Sequence, residues 1–331
     1  MTEIKIQDFE AYGNWINNQD ESADNVESIN VISPYFDKKI ASIPASNSEH
    51  LDSAVEAASA AFLNWSRTNI RDRAQIMSRF KSIIENDIEN LATIIALDNG
   101  KTIEDAIGSI KRGVEVIDFA VSMPNVLKGE SSEVSPGINC VMTHEPIGVV
   151  SGITPFNFPV MVPLWMIPLA ITSGNTFILK PSEQTPLAAI KLAEYLEKAG
   201  LPKGVFNVVH GSKDIVEAIC DHPKIKAVAF VGSSKVAEIV YSRSTQKKKR
   251  AICLGGAKNH MIVVPDADVD STAKGLLASS MGSAGQRCMA ASVAVGVEDV
   301  DHIIDQLINE ANQFKLGRDM GTIISKASLD R

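Results

Sequence analysis

From Gly148 to Val264 short apolar runs alternate with longer amphipathic stretches, and this alternation restricts the fold more than any other feature of the chain. The runs at 149–153, 176–179, 206–209, 228–231 and 261–264 have strand length. Strands separated by helices predict an α/β fold with a doubly wound parallel sheet, because parallel neighbours need a crossover between them. Thr185-Pro186 opens one such helix and Gly200-Leu201-Pro202 closes it, with start and stop residues in the expected order. Ligands of such sheets sit beyond the carboxyl ends of the strands. The loops that carry Asn157, Lys180 and Ser233 are strand exits of that kind.

Upstream the pattern is helical. Leu51, Val55, Ala58 and Phe62 share one helical face, and Leu91, Ile94 and Ile95 continue the pattern. Between Lys128 and Thr143 the composition turns to Gly, Ser, Pro and β-branched residues, which predicts an extended excursion or hairpin. The most apolar window, 158–171, holds Pro159, Pro163 and Pro168. A membrane span needs ~20 apolar residues, so a buried helix or loop is expected there, and no membrane partner.

A length of 331 residues suits about two domains. The change of domain is placed near Leu254-Gly255-Gly256, giving 1–254 and 255–331. A net charge of −8 argues against nucleic acid as a partner. The basic run Lys247-Lys248-Lys249-Arg250 is either a solvated element end or a local binding patch. The four cysteines show neither a disulfide framework nor zinc-ligand spacing, so free thiols in a reducing compartment and no metal are expected. Residues 1–10 lack an apolar run, so no leader is read there and a cytoplasmic location is expected.

Three stretches carry chemistry. Gly282-Ser-Ala-Gly-Gln-Arg-Cys-Met-Ala290 places the Cys288 thiol in a small-residue turn beside Arg287. A neighbouring guanidinium and exposed backbone N–H groups both favour thiolate, the form that attacks a carbonyl. Asn157 is either a turn cap or, with the Cys288 N–H, the holder of an oxyanion. Lys180 and Glu183 form either a surface ion pair or a grip on the hydroxyls of an adenine ribose. Phe230-Val-Gly-Ser-Ser234 ends a strand and enters a helix, a common turn composition that also suits a pyrophosphate. No Gly-x-Gly-x-x-Gly occurs, so the usual dinucleotide fingerprint is missing.

Thr154-Pro-Phe-Asn-Phe-Pro159, Ile178-Leu-Lys-Pro-Ser-Glu183, Phe230-Val-Gly-Ser233 and Gly285-Gln-Arg-Cys288 occur in that order. Together they resemble the aldehyde dehydrogenase superfamily from about Trp15 to Val297. Leu254-Gly-Gly-Ala-Lys-Asn-His260 with Gly285-Gln-Arg-Cys-Met-Ala290 is similar to its CoA-acylating methylmalonate-semialdehyde branch. The resemblance implies a variant Rossmann sheet, an oligomerisation hairpin near 128–147, NAD as cofactor and CoA as co-substrate. It implies that Cys288 attacks the aldehyde, that Asn157 holds the oxyanion, and that Arg112 and Arg287 hold the substrate carboxylate. Thr154, Phe156, Lys180, Glu183, Gln184, Ser233 and Gly255 would contact the nucleotide.

Hydrolytic members carry a Glu directly before Leu-Gly-Gly, and Cys253 stands there in this chain. A thiol with an ordinary pKa of ~8.5 is a poor general base at neutral pH, so the thioester should await a better nucleophile such as CoA. A β-carboxyl thioester then loses CO2, giving acetyl- or propionyl-CoA from malonate or methylmalonate semialdehyde. Family members continue beyond the position matching Arg331, so the second α/β domain is expected to be partial and a homo-oligomer to need the remainder. Two readings follow: a working CoA-acylating dehydrogenase, or a truncated, non-catalytic member that binds nucleotide or a full-length partner.

Overall fold

The computed structural model describes Phe9 and residues 11–22 and 26–330. Apart from Phe9, the stretch at 1–10 read above as lacking a leader lies outside the described residues. The chain opens with β1 (Asn14–Ile16), β2 (Gln19–Glu21), β3 (Ser28–Ser33) and β4 (Lys38–Pro44). Four helices follow: α1 (Ser48–Trp65), α2 (Ile70–Asn86), α3 (Ile88–Asn99) and α4 (Ile103–Val126). Next come the hairpin β5 (Glu130–Ser135) and β6 (Ile138–Met142), then β7 (Val149–Ile153), α5 (Met161–Thr172), β8 (Thr176–Lys180) and α6 (Leu187–Lys198). The alternation continues through β9 (Phe206–Val208), α7 (Lys213–Asp221), β10 (Ile225–Val231), α8 (Ser234–Gln246) and β11 (Arg250–Leu254). The order ends with β12 (Asn259–Val263), α9 (Val269–Met281), β13 (Ala291–Gly296), α10 (Asp301–Gln313) and the short α11 (Lys326–Leu329).

One seven-stranded sheet runs β11-β10-β7-β8-β9-β1-β2. Its pairs from β11 to β9 are parallel, and β1 and β2 extend the edge antiparallel. Every residue of β7 and β8 is buried, which is why each reads as a continuous apolar run rather than an alternation. Val149 and Ile153 of β7 face a core with Leu51 of α1, Ile219 of α7 and Val240 of α8. Val150 faces the other core, built on Phe80 of α2, Ile95 of α3, Ile110 of α4, Leu164 of α5 and Leu192 of α6. The sheet is thus covered on both faces, as the parallel pattern requires.

The apolar window at 158–171 becomes the buried helix α5, which carries Pro168 inside it. The Gly/Ser/Pro stretch becomes the antiparallel β5–β6 hairpin, exposed along its whole length. Beyond β11 the strands leave the large sheet. β12 and β13 pair with each other in parallel and share a small core of Val263, Leu276, Val300 and Ile303. Among the described residues no helix is long and apolar enough to cross a membrane.

Candidate active site

The strand order sets the site. The chain builds outward from β7 through β8 to β9, then returns to add β10 and β11 on the other side of β7. A crevice opens where the order reverses, beyond the carboxyl ends of β7 and β10. Register puts the exits level: Ile153 pairs with Lys180 and Phe230, and Val231 pairs with Leu254. Hence Thr154–Asn157, Lys180–Glu183, Ser233 and Gly255 emerge along one edge of the sheet.

At the β8 exit Lys180 is buried and donates to Glu183 Oε2 at 2.8 Å. Burial works against the ionised Glu183, but the Lys180 ammonium overcomes it and holds the carboxyl below the usual carboxylate range. A carboxylate kept charged in this way is suited to accept ribose hydroxyls. Thr154 is buried beside it, its N–H bonded to the Lys180 carbonyl at 3.1 Å. The Phe156 carbonyl accepts from Asn99 Nδ2 (2.9 Å) and Thr185 Oγ1 (3.3 Å), and the Gln184 N–H bonds Ser182 Oγ at 3.2 Å. Ser233 is the N-cap of α8, exposed, with no side-chain capping bond. The first N–H groups of α8 are therefore open toward an anion. Gly256, after Gly255, donates to Ser234 Oγ at 3.0 Å and ties the β11 exit to that helix start. A nucleotide fits this set: one half-buried ion pair for hydroxyls and one open helix start for phosphate.

The loop that carries Cys288 follows α9. Ser283, Ala284 and Gly285 take left-handed backbone angles (φ 53°, 55° and 73°) in a tight 3-10 turn. Two non-glycine residues in that region cost on the order of 1–2 kcal/mol each, so the surroundings must hold the turn. Asp105, at the first turn of α4, does so: its Oδ2 accepts the Ser283 N–H at 3.0 Å and its Oδ1 pairs with Arg287 Nη2 at 2.6 Å. The guanidinium lies across Gly282, where no Cβ would fit. After the turn, Asn259 Nδ2 donates to the carbonyls of Cys288 (2.8 Å) and Ala290 (3.1 Å). Asn157 Nδ2 donates to the Gln286 carbonyl at 2.9 Å, two residues before Cys288. That bond uses one of the two N–H groups of the Asn157 amide.

The remaining sequence candidates are placed less simply. Arg287 stands next to Cys288, but its charge is taken up by Asp105, so it is not the free guanidinium that the sequence suggested beside the thiol. Arg112 is exposed on α4, seven residues from Asp105 and so about 10 Å along the same helix face. Cys253 is half-buried on β11, and burial, with Cys220 nearby, pushes its thiol up to about 11. Asp105 and Asn259 were not singled out in the sequence. The signal for Asp105 was Thr102, which caps α4 by accepting the Asp105 N–H at 3.1 Å, and that pattern reads as helix capping alone.

Residues 21–331 match the model of the aldehyde dehydrogenase family. The malonate-semialdehyde dehydrogenase of Pseudomonas aeruginosa is 46% identical over 315 residues, 92% of this chain and 63% of that protein. The Bacillus pumilus malonate-semialdehyde dehydrogenase is 44% identical over 321 residues, 96% of this chain and 65% of that protein. The chain therefore spans under two thirds of the length of these relatives. A Sinorhizobium meliloti structure complexed with NAD, provisionally described as a methylmalonate-semialdehyde dehydrogenase, superposes with a TM-score of 0.95. It is 40% identical, and the match covers 99% of this chain and 68% of that one. The methylmalonate-semialdehyde dehydrogenase of Oceanimonas doudoroffii gives a TM-score of 0.91 at 42% identity, over 94% of this chain and 64% of that one. With family match, fold and site in agreement, the chain belongs to the aldehyde dehydrogenase family.

Proposed function

We propose that the protein oxidises malonate or methylmalonate semialdehyde with NAD, through a thioester on Cys288 that is passed to CoA with loss of CO2. The observation that carries this reading is the pairing of a held nucleophile loop with a thiol, Cys253, where a base would be needed to activate water. Cys288 adds to the aldehyde carbon, and the free N–H of Asn157 meets the oxygen that becomes negative. NAD+, bound along Lys180, Glu183, Ser233 and Gly255 with Thr154, Phe156 and Gln184 nearby, supplies a hydride acceptor. Cys253, protonated at neutral pH by its burial, takes no proton from water, so the thioester outlasts hydrolysis and meets the CoA thiol.

Arg287 is held at Asp105 in the first turn of α4 and Arg112 lies in its third turn on the same face, an arrangement that supports a grip on the substrate carboxylate; Arg287 would then share or exchange Asp105. In this reading 1–254 binds nucleotide, 255–331 carries the nucleophile as part of a second α/β domain, and the exposed β5–β6 hairpin meets a second copy. The relatives named for malonate and methylmalonate semialdehyde support the substrate class.

The test is NADH formation by the folded chain from malonate semialdehyde and NAD+, with and without CoA. Turnover that rises with CoA is expected. A second reading, a nucleotide-binding chain without turnover, is favoured by exposed apolar side chains on the small sheet, with Ile262 at 70% and Val295 at 42% exposure. NAD binding with no NADH, even as a single burst, would establish it.

A further inference from the structure

Asn259 opens β12, and the register of the small sheet sets it opposite Ala291, the first residue of β13. The pairing then skips Ser292, since His260 already faces Val293. Asn259 therefore stands level with the turn that carries the thiol. Its amide reaches the carbonyls of Cys288 at 2.8 Å and Ala290 at 3.1 Å. The turn runs from Arg287 to Ala290 and is closed by the Ala290 N–H on the Arg287 carbonyl at 3.2 Å. Cys288 and Met289 form its corner. The next N–H, that of Ala291, is taken by Ser279 Oγ of α9 at 3.0 Å. One amide thus holds the corner and the far end of the turn together.

The clamp fixes the direction of a donor. Among the described residues no peptide bond is cis, so the Cys288 N–H points opposite to the Arg287 carbonyl on their shared peptide plane. That carbonyl is turned inward to Ala290, so the N–H is turned outward, and among the described residues no acceptor meets it. A donor held in this way stabilises a carbonyl oxygen that becomes negative, provided it cannot swing aside. We propose that Asn259 is a positioning residue: by clamping the Arg287–Ala290 turn it keeps the Cys288 N–H aimed at the oxygen of the carbonyl under attack. Asn157 holds the residue before that turn, at 2.9 Å from the Gln286 carbonyl. The inference rests on Cys288 as the nucleophile of the proposed reaction, but not on NAD, CoA or the identity of the aldehyde. A side chain that only stiffened the loop would affect every reaction of the thiol alike. One that aims the N–H affects only reactions that pass through an oxyanion.

The test compares two reagents on the whole chain, without substrate or NAD, read peptide by peptide in a mass spectrometer. The thiolate attacks p-nitrophenyl acetate at its carbonyl carbon; the C=O pair moves to oxygen, then returns to expel p-nitrophenolate and leave an acetyl thioester. Iodoacetamide is attacked at a saturated carbon and loses iodide, with no oxyanion formed. The ratio of the two rates at one thiol cancels its ionisation and most of its accessibility. Cys140, exposed on the β5–β6 hairpin, is the reference thiol in the same digest. In the unaltered chain the acetylation-to-alkylation ratio at Cys288 should exceed that at Cys140 by about tenfold or more. Asn259→Leu, similar in size but without a donor, should lower the Cys288 ratio about tenfold and change its alkylation rate by less than about twofold. A Cys288 ratio no higher than that of Cys140 in the unaltered chain would overturn the proposal. So would a ratio unchanged by Asn259→Leu, or an equal fall in both rates. If Asn259→Leu does not fold, Asn259→Asp loses the same donor in the same shape and carries the comparison. Absence of NADH would count against the proposed reaction and leave these ratios standing.

Discussion

At the residue scale the site divides into groups readable from short motifs and groups readable only from contacts. Cys288 and Asn157 stand in compact motifs, and the structure joins their loops through Gln286. Asp105 was not legible, because its partners Ser283 and Arg287 lie 178 and 182 residues away in sequence. Asn259 was hidden likewise: an asparagine at the head of a strand reads as a turn residue until the fold sets it on Cys288 and Ala290. Cys253 stands where the sequence reading lacked a base, and burial pushes its thiol up to about 11, which leaves even less thiolate at neutral pH. Replacing it by glutamate puts a carboxylate at the same point of β11. Cys253→Glu should raise the CoA-independent rate of NADH formation by about tenfold or more, given the usual worth of a positioned general base. An unchanged rate, in a variant that still binds NAD, would mean this position does not govern deacylation.

At the element scale the central strands were the most legible part, because strands buried on both faces write themselves as apolar runs. β11 was not foreseen, since the basic run before it resembles a solvated end. In the fold Lys248 turns the chain with φ 59°, and Lys249 is buried with its ammonium donating to the carbonyls of His222 and Ile225. Burial pushes that ammonium down to about 8. The short edge strands β1 and β2 also escaped, being three residues each. α4 matters most for the site, as it carries Asp105 and Arg112. It packs against α5 at Gly113, where a Cβ would come within 2.8 Å of Leu164 Cδ1 and 3.3 Å of Met161 Cα. Gly113→Val should therefore cost about 1–3 kcal/mol of stability, seen as a lower urea midpoint. An unaltered midpoint would show that the two helices can part without loss.

At the scale of the whole molecule, stability should depend on pH through a histidine. His210, at the exit of β9, is fully buried with neither ring nitrogen hydrogen-bonded. Burial first, and Lys180 second, hold it down to about 3, so the folded chain keeps it neutral where the unfolded chain protonates it. With the folded value below the unfolded one, its contribution is complete above about pH 6.5 and is lost as pH falls toward 3, at up to about 1.4 kcal/mol per pH unit. Asp98, also buried and held well above the carboxylate range, acts in the opposite sense. The comparison is therefore between the chain and its His210→Asn variant, whose urea stability should fall less steeply between pH 6.5 and 4. Parallel slopes would remove His210 from the acid response.

The chemistry at Cys288 is tested most directly by its mass. The folded chain, mixed with NAD+ and malonate semialdehyde without CoA and quenched in acid, should yield one acyl adduct, located on the Cys288 peptide and cleared when CoA is added before the quench. NADH formed while Cys288 stays unmodified, or an adduct that disappears equally fast without CoA, would contradict a thioester reserved for CoA.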